Sequence, residues 1–250
     1  MPTNVSSFSL DTSSPHASDI QQDMWHLHYI GIEEFCSKIC NLSPSSNKRN
    51  RNQETLLRVV NSFKGFLDKA SGYFHALIVK LRAKYGLPPS PLPGEALLCL
   101  KHQGSSHGAV SCHRLLIYLG DLARYKELFA VQNTSNHVWT VTANYYMQAA
   151  TLCPSTGNAH NQLAVLATYT GDALGAIYHY CRSLAVDVPF VTARENLTLL
   201  FEKVSRKHGF NLEEILLIDA LFGMLCHWNS PFFAFSQDKL KNYNRTHIRK

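Results

Sequence analysis

Residues 145–154 read YYMQAATLCP, and residues 180–189 read YCRSLAVDVP. An aromatic, a small residue and a proline recur in one order: Tyr145, Ala150 and Pro154, then Tyr180, Ala185 and Pro189, each 35 positions on. That spacing is close to the tetratricopeptide period of about 34 residues, in which two helices form a hairpin. The small residue lets the helices approach, and the proline ends the second one because it cannot continue a helix. Upstream, YLGDLARY (118–125) fits the first-helix pattern of a large residue, Leu-Gly and then Tyr. The equivalent NQLAVLATYTGD (161–172) has Leu163-Ala164 in place of Leu-Gly. The expected architecture is an array of helical hairpins.

Outward from this stretch, apolar residues recur at helical spacing over Ser111–Phe129, Val138–Leu152, Asn158–Tyr169, Ala173–Val186 and Val191–His208. A further helix is expected from Asn211, as N-cap, to about His227. In the first half, Asp23–Cys40 carries Trp25, Tyr29, Ile32 and Phe35 near one face. Gln53–Tyr85 runs through Leu56, Val60, Phe63, Leu67, Tyr73, Leu77 and Leu81 until the prolines of GLPPSPLPGE stop it. NLSPSSNKRNR (41–51) reads as a polar, basic loop and 87–108 as a long loop. Nothing alternates at period two, so the expected class is all-α. The expected organisation is a Ser/Thr-rich disordered leader over 1–22, a helical domain over 23–229 containing a long loop at 86–108, and a polar basic tail over 230–250.

Bulk properties narrow the function classes. The 250 residues carry a formal charge of +6, a modest basic bias and not a nucleic-acid tail. Seven cysteines, at 36, 40, 99, 112, 153, 181 and 226, form no C-x-x-C pair, and the histidines show no zinc-like arrangement. The free thiols fit a reducing compartment. The opening residues lack the apolar region of a secretory signal, and no run reaches the ~18 apolar residues of a membrane span. No P-loop, GxSxG or paired-acid arrangement occurs. His179 and Cys181, at i and i+2, face apart on a helix and make no nucleophile–base pair. No enzyme activity, cofactor, metal or membrane partner is expected.

Three segments are more specific than a generic repeat: CHRLLIYLGDLARY (112–125), NYYMQAATLCPSTGNAHNQLAVLA (144–167) and AIYHYCRSLAVDVPFVTARENLTLLFEK (176–203). They resemble the N-terminal domain of the SMG and Est family of nonsense-mediated-decay and telomerase-associated factors. LHYIGIEEF and LIVKLRAKYGLPP look most like the plant members related to the seventh SMG factor. The resemblance implies a 14-3-3-like helical array built on tetratricopeptide-type hairpins. It implies an adaptor that binds phosphorylated Ser/Thr motifs of the Upf-type RNA helicase. The implied partners extend to another SMG-family member and to RNA or single-stranded DNA, telomerase RNA and telomeric DNA included, in cytoplasm and nucleus. A ligand-deficient scaffold is the third reading. Against the family pattern, the chain reads as a fragment, a short isoform or a degenerate copy, whose absent front helices would leave the Trp25 helix exposed.

Arg124 is the leading site candidate. From spacing alone it pairs with Asp121 one turn back, an exposed pair worth a few tenths of a kcal/mol. The resemblance assigns it to phosphate instead, since GDLARY matches the family segment whose Arg-Tyr pair holds the anion. A guanidinium fork suits two phosphate oxygens, and the Tyr125 hydroxyl would serve a third. Asn161 is the matching candidate for a peptide backbone, with a hydrogen bond that fixes a helix start or a neighbouring loop as the alternative. Where family members carry a basic residue five positions past the Leu-Trp tryptophan, this chain has Ile30 after Trp25. His26, His28 and Lys38 are the cationic side chains nearby. NKRNR (47–51), Arg182 and Arg194 read as solvated or bracing charges.

Overall fold

The computed structural model describes residues 15–42, 49–87, 103–129 and 138–208. Seven helices lie among them: α1 Pro15–Leu42, α2 Arg49–Tyr85, α3 Gln103–Leu128, α4 Thr140–Leu152, α5 Asn158–Thr170, α6 Ala173–Leu184 and α7 Thr192–His208. No strand accompanies them among the described residues, only an isolated bridge between Thr156 and Val188. The chain divides into two compact units, Met1–Cys153 and Pro154–Lys250.

In the first unit each helix packs on the next, α1 on α2, α2 on α3 and α3 on α4. The core stripe of α2 is Phe63, Leu67, Ala70, Phe74, Leu77, Ile78 and Leu81, all buried at helical spacing. The sequence reading placed Tyr73 in that stripe. Phe74 occupies it instead, because steps of three and four from Phe63 reach 74, while Tyr73 is 42% exposed and donates to Met24 Sδ. An aromatic core joins the helices. Trp25 of α1 stacks on Tyr118 of α3 at 4.5 Å between centroids, and Phe74 lies against both rings. Phe35 stacks on Phe63 at 5.1 Å. The Trp25 ring thus packs against α2 and α3, while Leu27 and Ile30 of the same helix are 68% and 42% exposed.

Two boundaries depart from the expectation. Helix α1 begins at Pro15, so residues 15–22 are not leader, and Gln21 is buried at 1% exposure. Proline favours the first turn of a helix, where its missing N–H has no partner to lose. Helix α3 begins at Gln103, eight residues before the expected Ser111. Its Gly108 had marked a loop but in fact marks a close approach: a Cβ there would lie 2.5 Å from the ring of Tyr85. Helix α2 likewise starts at Arg49, so part of the NKRNR loop is helical. The expected Asn211–His227 helix and the 230–250 tail lie outside the described residues.

The repeat is present, with its register moved by one. The buried positions of α4 are Thr142, Tyr146, Ala149 and Leu152, and those of α6 include Ala176, Tyr180 and Ser183. Thr142, Tyr146 and Ala149 therefore map onto Ala176, Tyr180 and Ser183 at a spacing of 34. Ala159, Leu163 and Leu166 of α5 map onto Ala193, Leu197 and Leu200 of α7 at the same spacing. Tyr145 is the half-buried neighbour of the true core position, Tyr146, and Ala185 is exposed. The α5–α6 hairpin is closed by Gly171 in the left-handed region (φ 76°) and by Asp172, whose carboxylate accepts from Gly175 N at 2.8 Å.

In the second unit α5 packs on α6 and α6 on α7. Across the α5–α6 hairpin the rings of His160 and His179 stack, with Nδ1 to Nδ1 at 3.2 Å, so one ring carries its proton on Nδ1 and the other accepts it. Burial, His179 and Arg182 push His160 down to about 4, and burial lowers His179 against the opposing charge of Asp172. The folded state refuses a proton that the unfolded chain accepts below about 6.5, so stability present above that pH is lost as it falls toward 4. With the rings only part-buried, the expected loss is about 1–3 kcal/mol. Thermal melts at pH 7.5 and 4.5 check this, with His160→Gln expected to show a smaller acid-induced drop than the parent.

Candidate functional site

Helix α3 presents LGDLARY with Leu115, Leu119 and Leu122 in the core at 1% exposure or less. That stripe turns Gly120 and Asp121 toward α4. A Cβ on Gly120 would lie 2.2 Å from Tyr146 Cε1, so only glycine admits the Tyr146 ring at this crossing. The seated ring brings its hydroxyl onto Asp121 Oδ1 at 2.7 Å. Arg124 Nη2 donates to the same oxygen at 3.0 Å, and Nε faces the Tyr146 hydroxyl at 3.4 Å. Tyr146 is 0% exposed, while the Arg124 and Asp121 side chains are 14% and 11% exposed.

The resemblance assigns Arg124 to an anion from outside, and the structure gives it an internal one. Arg124 is held by a carboxylate. The local reading of an Asp121–Arg124 pair is what forms, yet it is not the exposed pair that spacing suggested, because Tyr146 roofs it. Burial pushes the Asp121 carboxyl up, opposed by the Arg124 charge and by the Tyr146 and Arg124 hydrogen bonds. Burial disfavours charged Arg124, but Asp121 and Tyr146 outweigh it and hold its pKa above the usual value.

Tyr125 lies beside the pair, with its ring 5.0 Å from the Arg124 guanidinium carbon, and burial pushes its hydroxyl up to about 12. On α1, Tyr29 donates to Glu33, which raises its pKa, and Arg124 is near enough for its charge to oppose that shift. Asp121 and Tyr146 thus face Arg124 directly, with the Tyr125 ring beside them and Tyr29 of α1 within reach of its charge.

Asn161 belongs to the second unit. It is buried at 4% exposure on α5, and its Oδ1 accepts from Asn196 Nδ2 of α7 at 3.4 Å. The bond joins two helices of the second unit and fixes neither a helix start nor a loop. Among the described residues no group of three or more His, Cys, Asp or Glu is placed to hold a metal ion, and no helix is long and apolar enough to cross a membrane.

Sequence reasoning missed Asp121 as a buried anchor and Tyr146 altogether. The signal that finds Tyr146 is the 34-residue register, under which it shares the core position of Tyr180.

Two family models match successive stretches of the chain. Residues 19–130 match the family described as Telomerase activating protein Est1, and residues 142–214 match the Est1 DNA/RNA binding domain. The Arabidopsis thaliana nonsense-mediated mRNA decay factor SMG7 is 39% identical over 199 residues, covering 74% of this chain and 19% of that protein. The chain belongs to the SMG/Est family. The Danio rerio telomerase-binding protein EST1A is 27% identical over 204 residues, covering 79% of this chain and 12% of that protein. The chain thus spans about a fifth or less of the length of these SMG/Est relatives. A chain of the crystal structure of Est1 and Cdc13 superposes with a TM-score of 0.56 at 16% identity, over 96% of this chain and 53% of that one. That likeness concerns the fold, which is the all-α, 14-3-3-like hairpin array.

Within the SMG/Est pattern the residue five past Trp25 is Ile30, an aliphatic side chain 42% exposed. Of the other basic side chains of α1, His28 and Lys38 make internal contacts. His28 bonds to Met24 O at 2.7 Å among the rings of Phe66, Tyr73 and Phe74. Lys38 pairs with Glu34 at 3.5 Å and lies over Phe35.

Proposed function

We propose that the chain is a non-catalytic adaptor of nonsense-mediated mRNA decay that binds phosphorylated Ser/Thr motifs of the Upf-type RNA helicase. The observation that carries the reading is kinship with a plant decay factor across three quarters of the chain. In this reading the phosphate takes the guanidinium hydrogens of Arg124 that Asp121 leaves, with the Tyr125 hydroxyl beside it. Asn161, with Asn196, is the proposed peptide-backbone contact of the second unit. With Ile30 in place of a second cation, affinity falls short of a two-cation pocket by about 1–3 kcal/mol. Another SMG-family member is a further proposed partner, and cytoplasm and nucleus are the proposed locations.

A second reading, a telomerase-associated factor that binds RNA or single-stranded DNA, is favoured by the description of the family matched over 142–214. Calorimetry with a phosphoserine peptide and its unphosphorylated twin separates the two. The adaptor reading expects binding only with phosphate, weakened by about tenfold or more in Arg124→Lys, which keeps a charge beside Asp121 but loses the fork. Equal binding of both peptides removes it. Binding of single-stranded RNA with a steep salt slope instead supports the second reading.

A further inference from the structure

We propose that Cys36 and Cys40 form a chelating dithiol on α1, which takes a soft trivalent centre of the organic arsenoxide type across one turn of helix. Both thiols are free, with Cys36 half-buried and Cys40 exposed. They stand at i and i+4 within the helix Pro15–Leu42, so they share one face. Tyr29 and Glu33 continue that face toward the N-terminus at steps of three and four. Cys36 is near enough to Tyr29 and to Tyr125 of α3 for its charge to act on both. The pair therefore occupies the flank of α1 that borders Tyr125, and it opens to solvent at Cys40.

Spacing decides what such a pair can do. Side chains one turn apart on a helix hold their Cβ atoms about 5–6 Å from each other. A disulfide needs about 3.5–4.5 Å, so a direct sulfur–sulfur bond would require α1 to unwind. A bridge with one atom inserted between the sulfurs spans the wider gap with the helix intact. Thiolates also favour soft centres over hard ones. Burial, then the charges of Cys40 and Glu33, push the Cys36 thiol up, so the exposed Cys40 attacks first and Cys36 closes the ring. With an arsenoxide two As–S bonds form and the As=O bond breaks. Its oxygen leaves as water with both thiol protons, and arsenic stays trivalent, so no oxidant is consumed. Cys112, Cys153 and Cys181 are buried and do not compete at the surface.

The test is intact-mass spectrometry of the reduced full chain with phenylarsine oxide, in the presence of excess glutathione as a competing monothiol. The parent is expected to retain the arsenical with its far-ultraviolet circular dichroism unchanged. Cys36→Ser and Cys40→Ser, each leaving a single thiol on this flank, are expected to hold it about a hundredfold or more weakly, because the second bond is no longer intramolecular. Adding Lys38→Cys to Cys40→Ser restores two thiols on α1, but at i and i+2, where they face apart. That variant is expected not to recover retention. No retention by the parent overturns the inference. So does retention undiminished in either single variant, which would place the chelate at other cysteines. Recovery through Lys38→Cys, or loss of helix on binding, overturns the helix-face geometry on which the inference stands.

Discussion

Arg124→Ala is expected to destabilise the protein by about 3–5 kcal/mol, because it leaves a buried carboxylate without its cation. The pair is 14% and 11% exposed on its two side chains and shares one oxygen with a fully buried tyrosine hydroxyl. Removing the guanidinium therefore leaves Asp121 charged in a site from which water is largely excluded, or forces it to take up a proton. Surface ion pairs at i, i+3 contribute only a few tenths of a kcal/mol, and a loss of that size would place the pair in solvent. Urea denaturation followed by far-ultraviolet circular dichroism measures the change. For a domain stabilised by about 5–15 kcal/mol in total, the expected loss brings the first unit close to unfolding at ambient temperature.

Phe74→Ala is expected to cost a similar amount, about 3–5 kcal/mol, through a cavity at the meeting of α1, α2 and α3. Phe74 is 0% exposed and touches four rings, with centroids at 5.1 Å for His28, 5.4 Å for Tyr73, 5.7 Å for Tyr118 and 6.1 Å for Trp25. Backbone relaxation cannot fill a space framed by three separate helices, so the transfer and cavity contributions add. The Trp25–Tyr118 stack depends on the same support, and its near-ultraviolet signal should weaken with the melting temperature. Tyr73→Ala, one residue away and 42% exposed, is expected to cost far less. Equal losses from the two variants would mean that the core stripe of α2 passes through Tyr73 instead.

The helical class and most helix boundaries are legible in the sequence because apolar periodicity and proline stops are local signals. The repeat is legible too, but its register is not. Tyr145 and Tyr146 are adjacent aromatics, and both prolines support a spacing of 35, whereas burial follows the 34-residue spacing of Thr142, Tyr146 and Ala149. Which of two neighbouring tyrosines faces inward depends on Gly120 across the hairpin, a tertiary contact. The start of α3 was misread for a related reason. Gly108 signals a loop in isolation, and its actual role is to admit the Tyr85 ring of another helix.

The site is legible only in part. The i, i+3 spacing of Asp121 and Arg124 shows that they can pair, but it cannot show that Tyr146 buries them. Burial changes the chemical meaning of the arginine, from a free anion receptor to a cation already half-committed. Asn161 is a parallel case, where residue type suggested a ligand contact and the packing of α7 supplies an internal partner.

The most direct test of this account is a double-mutant cycle on unfolding free energy with Arg124→Ala, Asp121→Ala and both together. A buried, mutually satisfied pair predicts a coupling near the upper end of the range of about 0.5–3 kcal/mol, the double variant being far more stable than the summed single losses imply. Losses that add to within about 0.5 kcal/mol would contradict it, showing Arg124 and Asp121 to be independent side chains.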